Sequence, residues 1–289
     1  MPTITSVLAD RTMPARIALS RSLAEENRTL ERLATLRRIN RGSDDPAGLI
    51  AAAELESELT AIEAAERNAS RADAVLAVAD SALGQVGELL NTIESSSLAA
   101  GGDTPTDAEK AAYQQQIDAV LEAIDRIGAS TSFADRKLLD GSAGTLSFVL
   151  SADPADAASV ELPTVTSGSL GGAAGVLRDL ASGGTASIAA GQPASAIEIV
   201  RQARSELQSA RAAAGAFQAL TVESSRSVLS QSAVELTSAL SSIRDTDVAA
   251  EASRLVRSRL INSAALFSVR TSGLQGRRLA ALLIGGERE

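Results

Sequence analysis

A heptad-patterned stretch in the first third of the chain decides its fold: Ala61-Ile-Glu-Ala-Ala-Glu-Arg-Asn-Ala-Ser-Arg-Ala-Asp-Ala-Val-Leu-Ala-Val-Ala-Asp80-Ser-Ala-Leu-Gly-Gln-Val-Gly-Glu-Leu-Leu90-Asn-Thr-Ile93. Apolar residues recur every seven positions in two series offset by three, which run through Ile62, Ala69, Leu76, Leu83 and Leu90 and through Ala65, Ala72, Ala79, Val86 and Ile93. These are the a and d positions of a heptad repeat, so they predict a coiled-coil seam on one long helix from Pro46 to Leu98. One helix cannot bury that stripe alone, so the sequence must supply long partner helices.

The partner helices are visible in the rest of the chain. Apolar residues at helical spacing run from Ala196 to Ile243 with a phase shift near Thr221, which predicts an antiparallel partner rod. Thr106 and Glu109 form a capping-box pattern that opens a further helix, and amphipathic helices are indicated at both ends. We therefore predict a mainly α fold: a long antiparallel coiled-coil helical bundle with a small β-hairpin element and paired N- and C-terminal helices.

The stretch between the two helical regions has a different character. Thr145–Leu150 alternates apolar and polar residues, and Ser159–Leu162 is a weaker match, so together they predict a hairpin. Residues 163–195 are rich in Gly, Ser and Ala and predict a flexible surface excursion.

Composition and charge narrow the function classes. The 289 residues include no Cys, His or Trp, which removes disulfides, nucleophilic thiols and imidazole chemistry. The net charge of −9 argues against a nucleic-acid partner, although residues 1–41 carry eight Arg against four acidic residues and residues 249–289 carry seven Arg against three. The longest apolar run, Leu279–Ile284, is too short to cross a bilayer. We predict no enzyme activity, no catalytic or metal-binding residue and no cofactor.

Two acidic motifs could be offered as metal ligands. They are Asp44-Asp45 and Asp245-Thr246-Asp247, and both lie where a helix is predicted to begin. Helix capping and complementarity to the helix dipole are the better explanation, because both motifs lie at helix starts and no calcium-loop spacing surrounds either of them.

Several blocks in a fixed order resemble the bacterial flagellins. Arg38-Ile39-Asn40, followed by Asp44-Asp45-Pro46-Ala47-Gly48, is similar to the N-terminal signature of that family. Later blocks occur in the family's order, and the resemblance covers roughly residues 20–141 and 195–285. The signature residues that it assigns are Arg38, Ile39, Asn40, Asp44, Asp45, Ala47, Gly48, Arg67, Asn68, Asp125, Arg126, Phe133, Lys137, Leu138, Gly141, Gln218, Asp245, Asp247 and Glu251.

The resemblance implies a compact flagellin without large outer domains. It divides the chain into terminal helices that form a filament core (1–42 and 247–289), a helical rod (43–141 and 193–246) and a short variable β and Gly-rich tip (142–192). It implies a structural subunit that polymerises with itself, or together with other flagellins, into an extracellular filament for motility. The implied partners are hook-junction and cap proteins, the flagellar export apparatus and an export chaperone, with no nucleic acid and no membrane insertion.

Two other functions stay open on the sequence alone. A hook–filament junction protein shares the terminal helices, although residues 125–141 and 215–218 look more like the filament subunit. An all-helical cytoplasmic sensor or adaptor could carry the same heptads, because periodicity alone does not distinguish an intramolecular bundle from an assembling one.

Overall fold

The computed structural model describes residues 4–102 and 104–285, so the first three and last four residues of the predicted terminal segments lie outside the described residues. Long helices dominate. They are α1 (Ile4–Thr35), α2 (Pro46–Ala100), α3 (Asp107–Ser130), α4 (Pro193–Ala216), α5 (Glu223–Arg244) and α6 (Val248–Gly285). The chain forms two compact units, Met1–Ser57 with Glu235–Glu289 and Glu58–Val234. The predicted fold class is confirmed.

Helix α2 runs without interruption for 55 residues. Pro46 stands at its first position, where a missing N–H costs nothing, and no other proline interrupts it. The helix continues as far as the seam predicts, and in the second unit its apolar face lies in one core with α3 and α4.

Helix α3 begins with the predicted capping box. The Thr106 hydroxyl accepts a hydrogen bond from the Glu109 N–H, and the Glu109 carboxylate accepts one from the Thr106 N–H at 2.7 Å. Its buried side chains include Ile117, Leu121 and Ile124, which lie on one face of the helix.

Three antiparallel strand pairs complete the second unit. The predicted hairpin is present as β3 (Thr145–Val149) and β4 (Ala157–Glu161), in a register that pairs Ser147 with Ser159. The other two pairs have strands of two residues each and were not predicted: β1 (Ser132–Phe133) with β2 (Arg136–Lys137), and β5 (Gly171–Gly172) with β6 (Gly175–Val176). Strands this short leave no periodic pattern to detect.

The prediction of a flexible surface excursion over residues 163–195 is wrong. The segment contains two 3₁₀ helices, Leu177–Leu180 and Ile188–Ala190, and its large apolar side chains are buried in the core of the second unit. Polar side chains of α3 hold its irregular backbone through hydrogen bonds, so no helical or strand period was needed to order it.

A π-helical turn, Phe217–Val222, joins α4 to α5. It coincides with the phase shift predicted near Thr221, because a π turn adds about one residue to a helical turn and so rotates the apolar face of α5 relative to that of α4. The Phe217 ring packs on Phe148 of β3 with ring centroids 6.2 Å apart, so the hairpin rests on this turn.

Candidate functional site

The connection between α1 and α2 is held by its own acidic side chains. The backbone N–H groups of Asn40 and Arg41 donate to Asp44 Oδ2 at 3.2 and 3.1 Å, and these bonds hold the pKa of the Asp44 carboxyl below its ordinary value. Asp45 caps α2 by accepting from the Gly48 N–H at 2.9 Å. Asp45 is therefore the cap of α2, as predicted, and Asp44 closes the preceding turn.

Gly48 is required by close packing at this connection. A Cβ added at Gly48 would collide with the Asp45 carboxylate and would lie 2.7 Å from Ile39 Cδ1. Ile39 is itself buried, so it has little room to move away. A side chain at this position would therefore disturb the cap and the buried isoleucine together.

The connection between α5 and α6 pairs with the first one. Arg37 and Asp245 form an isolated antiparallel bridge, flanked by a hydrogen bond from the Arg38 N–H to the Arg244 carbonyl at 2.6 Å. Asp247 caps α6 by accepting from the N–H groups of Ala249 and Ala250 at 2.9 and 3.0 Å. Within the motif Asp245-Thr246-Asp247, Asp247 is thus the cap and Asp245 takes part in the bridge.

Beyond these connections, polar side chains join α1 to α6. Glu251 is only 1% exposed and lies between Arg32, at 3.5 Å, and Arg254, at 2.7 Å. Farther along the pair, Glu26 accepts a hydrogen bond from Asn262 Nδ2 at 2.6 Å and forms an ion pair with Arg259. The sequence around Glu251 does not show that this residue is buried. One partner, Arg32, is distant in sequence, and the other, Arg254, lies on the same helix, where such a pair also forms on an exposed surface.

Helices α1 and α6 carry several large apolar side chains that are more than a third exposed in the described chain. Their exposed fractions range from 39% for Leu30 to 73% for Phe267. They are Met13, Ile17, Leu23 and Leu30 on α1 and Val248, Val256, Leu260, Ile261, Leu266 and Phe267 on α6. Exposed apolar side chains grouped on two paired helices are typical of an interaction surface.

The seam residues of α2 have the opposite environment. All are at most 4% exposed, a set that comprises Ile62, Ala69, Ala72, Leu76, Ala79, Leu83, Val86, Leu90 and Ile93. Helix α4 comes close, because a Cβ added at Gly87 would lie 3.6 Å from the Leu207 side chain.

Ion pairs between α2 and the α4–α5 helix flank the seam in antiparallel order. Arg211 donates to Asp80 at 2.7 Å, and this bond lowers the pKa of Asp80 and raises that of Arg211. Burial raises the pKa of Glu94, but hydrogen bonds and charges from Arg204 and Arg201 outweigh it, and the net shift is downward. Among the described residues no group of three or more acidic side chains is placed to hold a metal ion, and none of the described helices is long and apolar enough to cross a membrane.

Comparisons with known proteins identify the family of this chain. The family model of the bacterial flagellin N-terminal helical region matches residues 11–144, and that of the bacterial flagellin C-terminal helical region matches residues 197–272. The chain belongs to the bacterial flagellin family. Between the two matched regions lie the β3–β4 hairpin, the short β5–β6 pair and the two 3₁₀ helices, so this flagellin has no large outer domain there.

Individual flagellins match about half of the chain. Polar flagellin F of Vibrio parahaemolyticus is 32% identical over 139 residues, which are 48% of this chain and 37% of that protein. B-type flagellin of Pseudomonas aeruginosa is 33% identical over 153 residues, 53% of this chain and 31% of that protein. The matched stretch thus spans about a third of the length of these relatives. A solved structure, described as FliC from Burkholderia pseudomallei, matches 35% of this chain and 40% of that one at 27% identity with a TM-score of 0.33.

The flagellin signature residues of α3 and of the segment after it contact residues 163–195, the segment that contains the two 3₁₀ helices. Asp125 accepts hydrogen bonds from the N–H and hydroxyl of Ser167 at 2.6 and 2.8 Å. Leu138 is buried, and Gly141 has a φ of +87° and faces Thr164 at a distance that leaves no room for a Cβ. Sequence reasoning missed two further residues of α3 with the same role, Gln114 and Asp118, which bind Leu180, Ser182 and Ile188.

The remaining signature residues of this flagellin are scattered. Arg67 is exposed and forms a weak ion pair with Glu63 at 3.9 Å, and Arg126 is exposed on α3. Asn68 and Phe133 line a cavity of about 400 Å³ beside the β3–β4 hairpin. Lys137 lies in β2, Gln218 in the π turn and Ala47, exposed, in the first turn of α2. The structure therefore brings together only the signature residues of the two helix connections and those around Asp125.

Proposed function

We propose that this chain is the structural subunit of a bacterial flagellar filament and polymerises with copies of itself for motility. The exposed apolar surface of the α1–α6 pair carries the proposal, because a helix pair that binds a neighbour on each side would bury it. Head-to-tail contacts that do not close into a ring produce an open helical filament. In this proposal residues 1–42 and 247–289 form the filament core, residues 43–141 and 193–246 the rod and residues 142–192 the tip.

The same proposal sets location and partners. The assembled subunit lies outside the cell in the flagellar filament, alone or beside other flagellins, and contacts the hook-junction proteins at the base and the cap at the growing end. Before assembly it is passed to the export apparatus with an export chaperone. Its role is structural and not enzymatic: the matched family is a structural one, and the chain contains no Cys and no His.

Seeded polymerisation tests the proposal. Purified protein added to sheared filament fragments should elongate them, with sedimentation and electron microscopy as the measurements. Leu260→Ser combined with Phe267→Ser should abolish elongation while the monomer keeps its helical content, because both side chains are mostly exposed in the monomer. Ala252→Ser, an exposed position on the same helix, is the matched control and should elongate like the parent. A parent protein that never sediments as filaments would refute the proposal.

A further inference from the structure

A groove between α1 and α6 carries an excess of positive charge. Its volume is about 740 Å³, and its charged lining consists of two glutamates, Glu25 and Glu251, and five arginines, Arg21, Arg28, Arg32, Arg254 and Arg257. Glu251 forms ion pairs with both Arg32 and Arg254 from the buried side, so its single carboxylate offsets one of their two charges. Within the described residues, no ion pair or hydrogen bond engages the side chains of Arg21, Arg28 or Arg257. Three guanidinium groups therefore face the groove with only the Glu25 carboxylate to offset them.

Helix α2 presents an opposite imbalance near its start. Glu54 and Glu58 lie one helical turn apart on the same face, and both are exposed. Among the described side chains neither has an ion-pair partner, whereas Glu56 between them is paired with Arg244. Like charges at this spacing destabilise a helix, so the pair is better accommodated when a cation binds it.

We propose that the arginine groove of one copy binds the Glu54 and Glu58 carboxylates of a second copy. Charge complementarity carries the proposal: a groove with unpaired arginines and an unpaired carboxylate pair exist on the same chain, and Arg binds carboxylates through paired N–H donors. The contact joins two different surfaces, so it can repeat from copy to copy, and it builds an open filament when the rotation between copies does not close a ring. It rests on the proposed function and names one of the contacts that would hold the polymer.

Charge reversal in seeded elongation tests this contact. Arg21→Glu with Arg28→Glu, and separately Glu54→Arg with Glu58→Arg, should each slow elongation of parent seeds by about tenfold or more at low salt, because like charges would then meet. The four-residue swap that contains both pairs restores opposite charges and should polymerise on its own seeds at close to the parent rate. Lys110→Glu with Arg178→Glu changes the net charge as much as the groove reversal does and is the matched control, which should elongate like the parent.

A milder pair of substitutions separates an effect on folding from an effect on the proposed contact. Arg21→Gln with Arg28→Gln removes the charges without repulsion, and neither arginine has an ion-pair partner among the described residues, so circular dichroism of the monomer should match that of the parent. Its elongation rate should depend less on NaCl concentration than the parent's, because fewer charges remain to be screened.

Three results would overturn the contact. Reversal variants that elongate like the parent would do so, as would a swap no faster than either reversal. The third result combines two observations: millimolar sulfate slows elongation of the parent, and the Glu54 and Glu58 reversal leaves the elongation rate unchanged. Together they would show that the groove binds free anions instead. All three presuppose a parent that forms filaments. If the parent itself does not polymerise, the proposed function fails and this contact fails with it.

Discussion

The two compact units bury different kinds of side chain. In Glu58–Val234, leucines and isoleucines from α2, α3 and α4 fill one core, and Leu83, Leu90, Ile93 and Ile124 have no exposed surface. In the other unit, α1 and α6 meet through Glu26, Glu251 and Asn262, while Leu260 and Phe267 stay mostly exposed. The unit Glu58–Val234 can hold its structure with its own residues. The unit Met1–Ser57 with Glu235–Glu289 uses polar groups to pair α1 with α6, and many apolar side chains of these two helices stay exposed.

The largest expected effect is on the seam. Leu83→Ala should lower the free energy of unfolding by about 2–5 kcal/mol, because it opens a cavity at a fully buried position between helices. Urea denaturation of the monomer followed by circular dichroism measures it. Glu88→Ala on the exposed face of α2 is the control and should change the free energy by less than about 0.5 kcal/mol. If the control lost more stability than Leu83→Ala, the buried face of α2 would not be the face that carries Leu83.

A smaller effect is expected at the buried acid of the terminal pair. Glu251→Gln should weaken the α1–α6 pairing by about 1–2 kcal/mol, because Arg32 and Arg254 lose an ionised partner but remain partly exposed to water. Hydrogen exchange read by mass spectrometry should show faster exchange in α1 and α6 and unchanged exchange in α2. Uniformly faster exchange along the whole chain would mean that the two units do not differ in how they are held together.

The smallest effect concerns a flanking ion pair of the seam. Asp80→Asn should cost about 0.2–1 kcal/mol at pH 7, since Asp80 and Arg211 are both nearly half exposed. Arg211 lowers the pKa of Asp80 in the folded state, so the stabilisation is present above the unfolded pKa of about 3.9 and is lost as the pH falls through the lower folded value. Thermal melts should show a smaller difference between parent and variant at pH 2.5 than at pH 7. A difference of equal size at both pH values would argue against an ionic contribution.

The sequence was sufficient to predict the elements that leave a periodic or local pattern of residues. Seven-residue spacing predicted α2 almost to its last residue, the Thr106–Glu109 pattern predicted the start of α3, and the phase shift near Thr221 coincides with the π turn. Each of these is a local or periodic signal. It can be recognised from residues that are close together in the sequence, without knowledge of long-range contacts.

Contacts between residues far apart in sequence could not be predicted. Asp125 and Ser167 are 42 residues apart, and their hydrogen bonds help order a segment that composition alone suggested was flexible. The motifs that contain Asp44 and Asp245 were assigned to helix capping and dipole complementarity because they lie at helix starts, and only the folded connections show which contacts these two residues make. The burial of Glu251 likewise depends on where α1 places Arg32.

The most direct test of the difference between the two units is hydrogen exchange on dilute monomer and on assembled filaments. We predict that amides in residues 16–35 and 248–268 exchange rapidly in the monomer, because only a few polar contacts hold these helices while their apolar side chains stay exposed, and that assembly slows them by about a hundredfold or more. Amides in residues 76–93 should be slow in both states. Terminal helices as protected in the dilute monomer as the seam, with no change on assembly, would contradict the claim that their apolar surface is covered only by other copies.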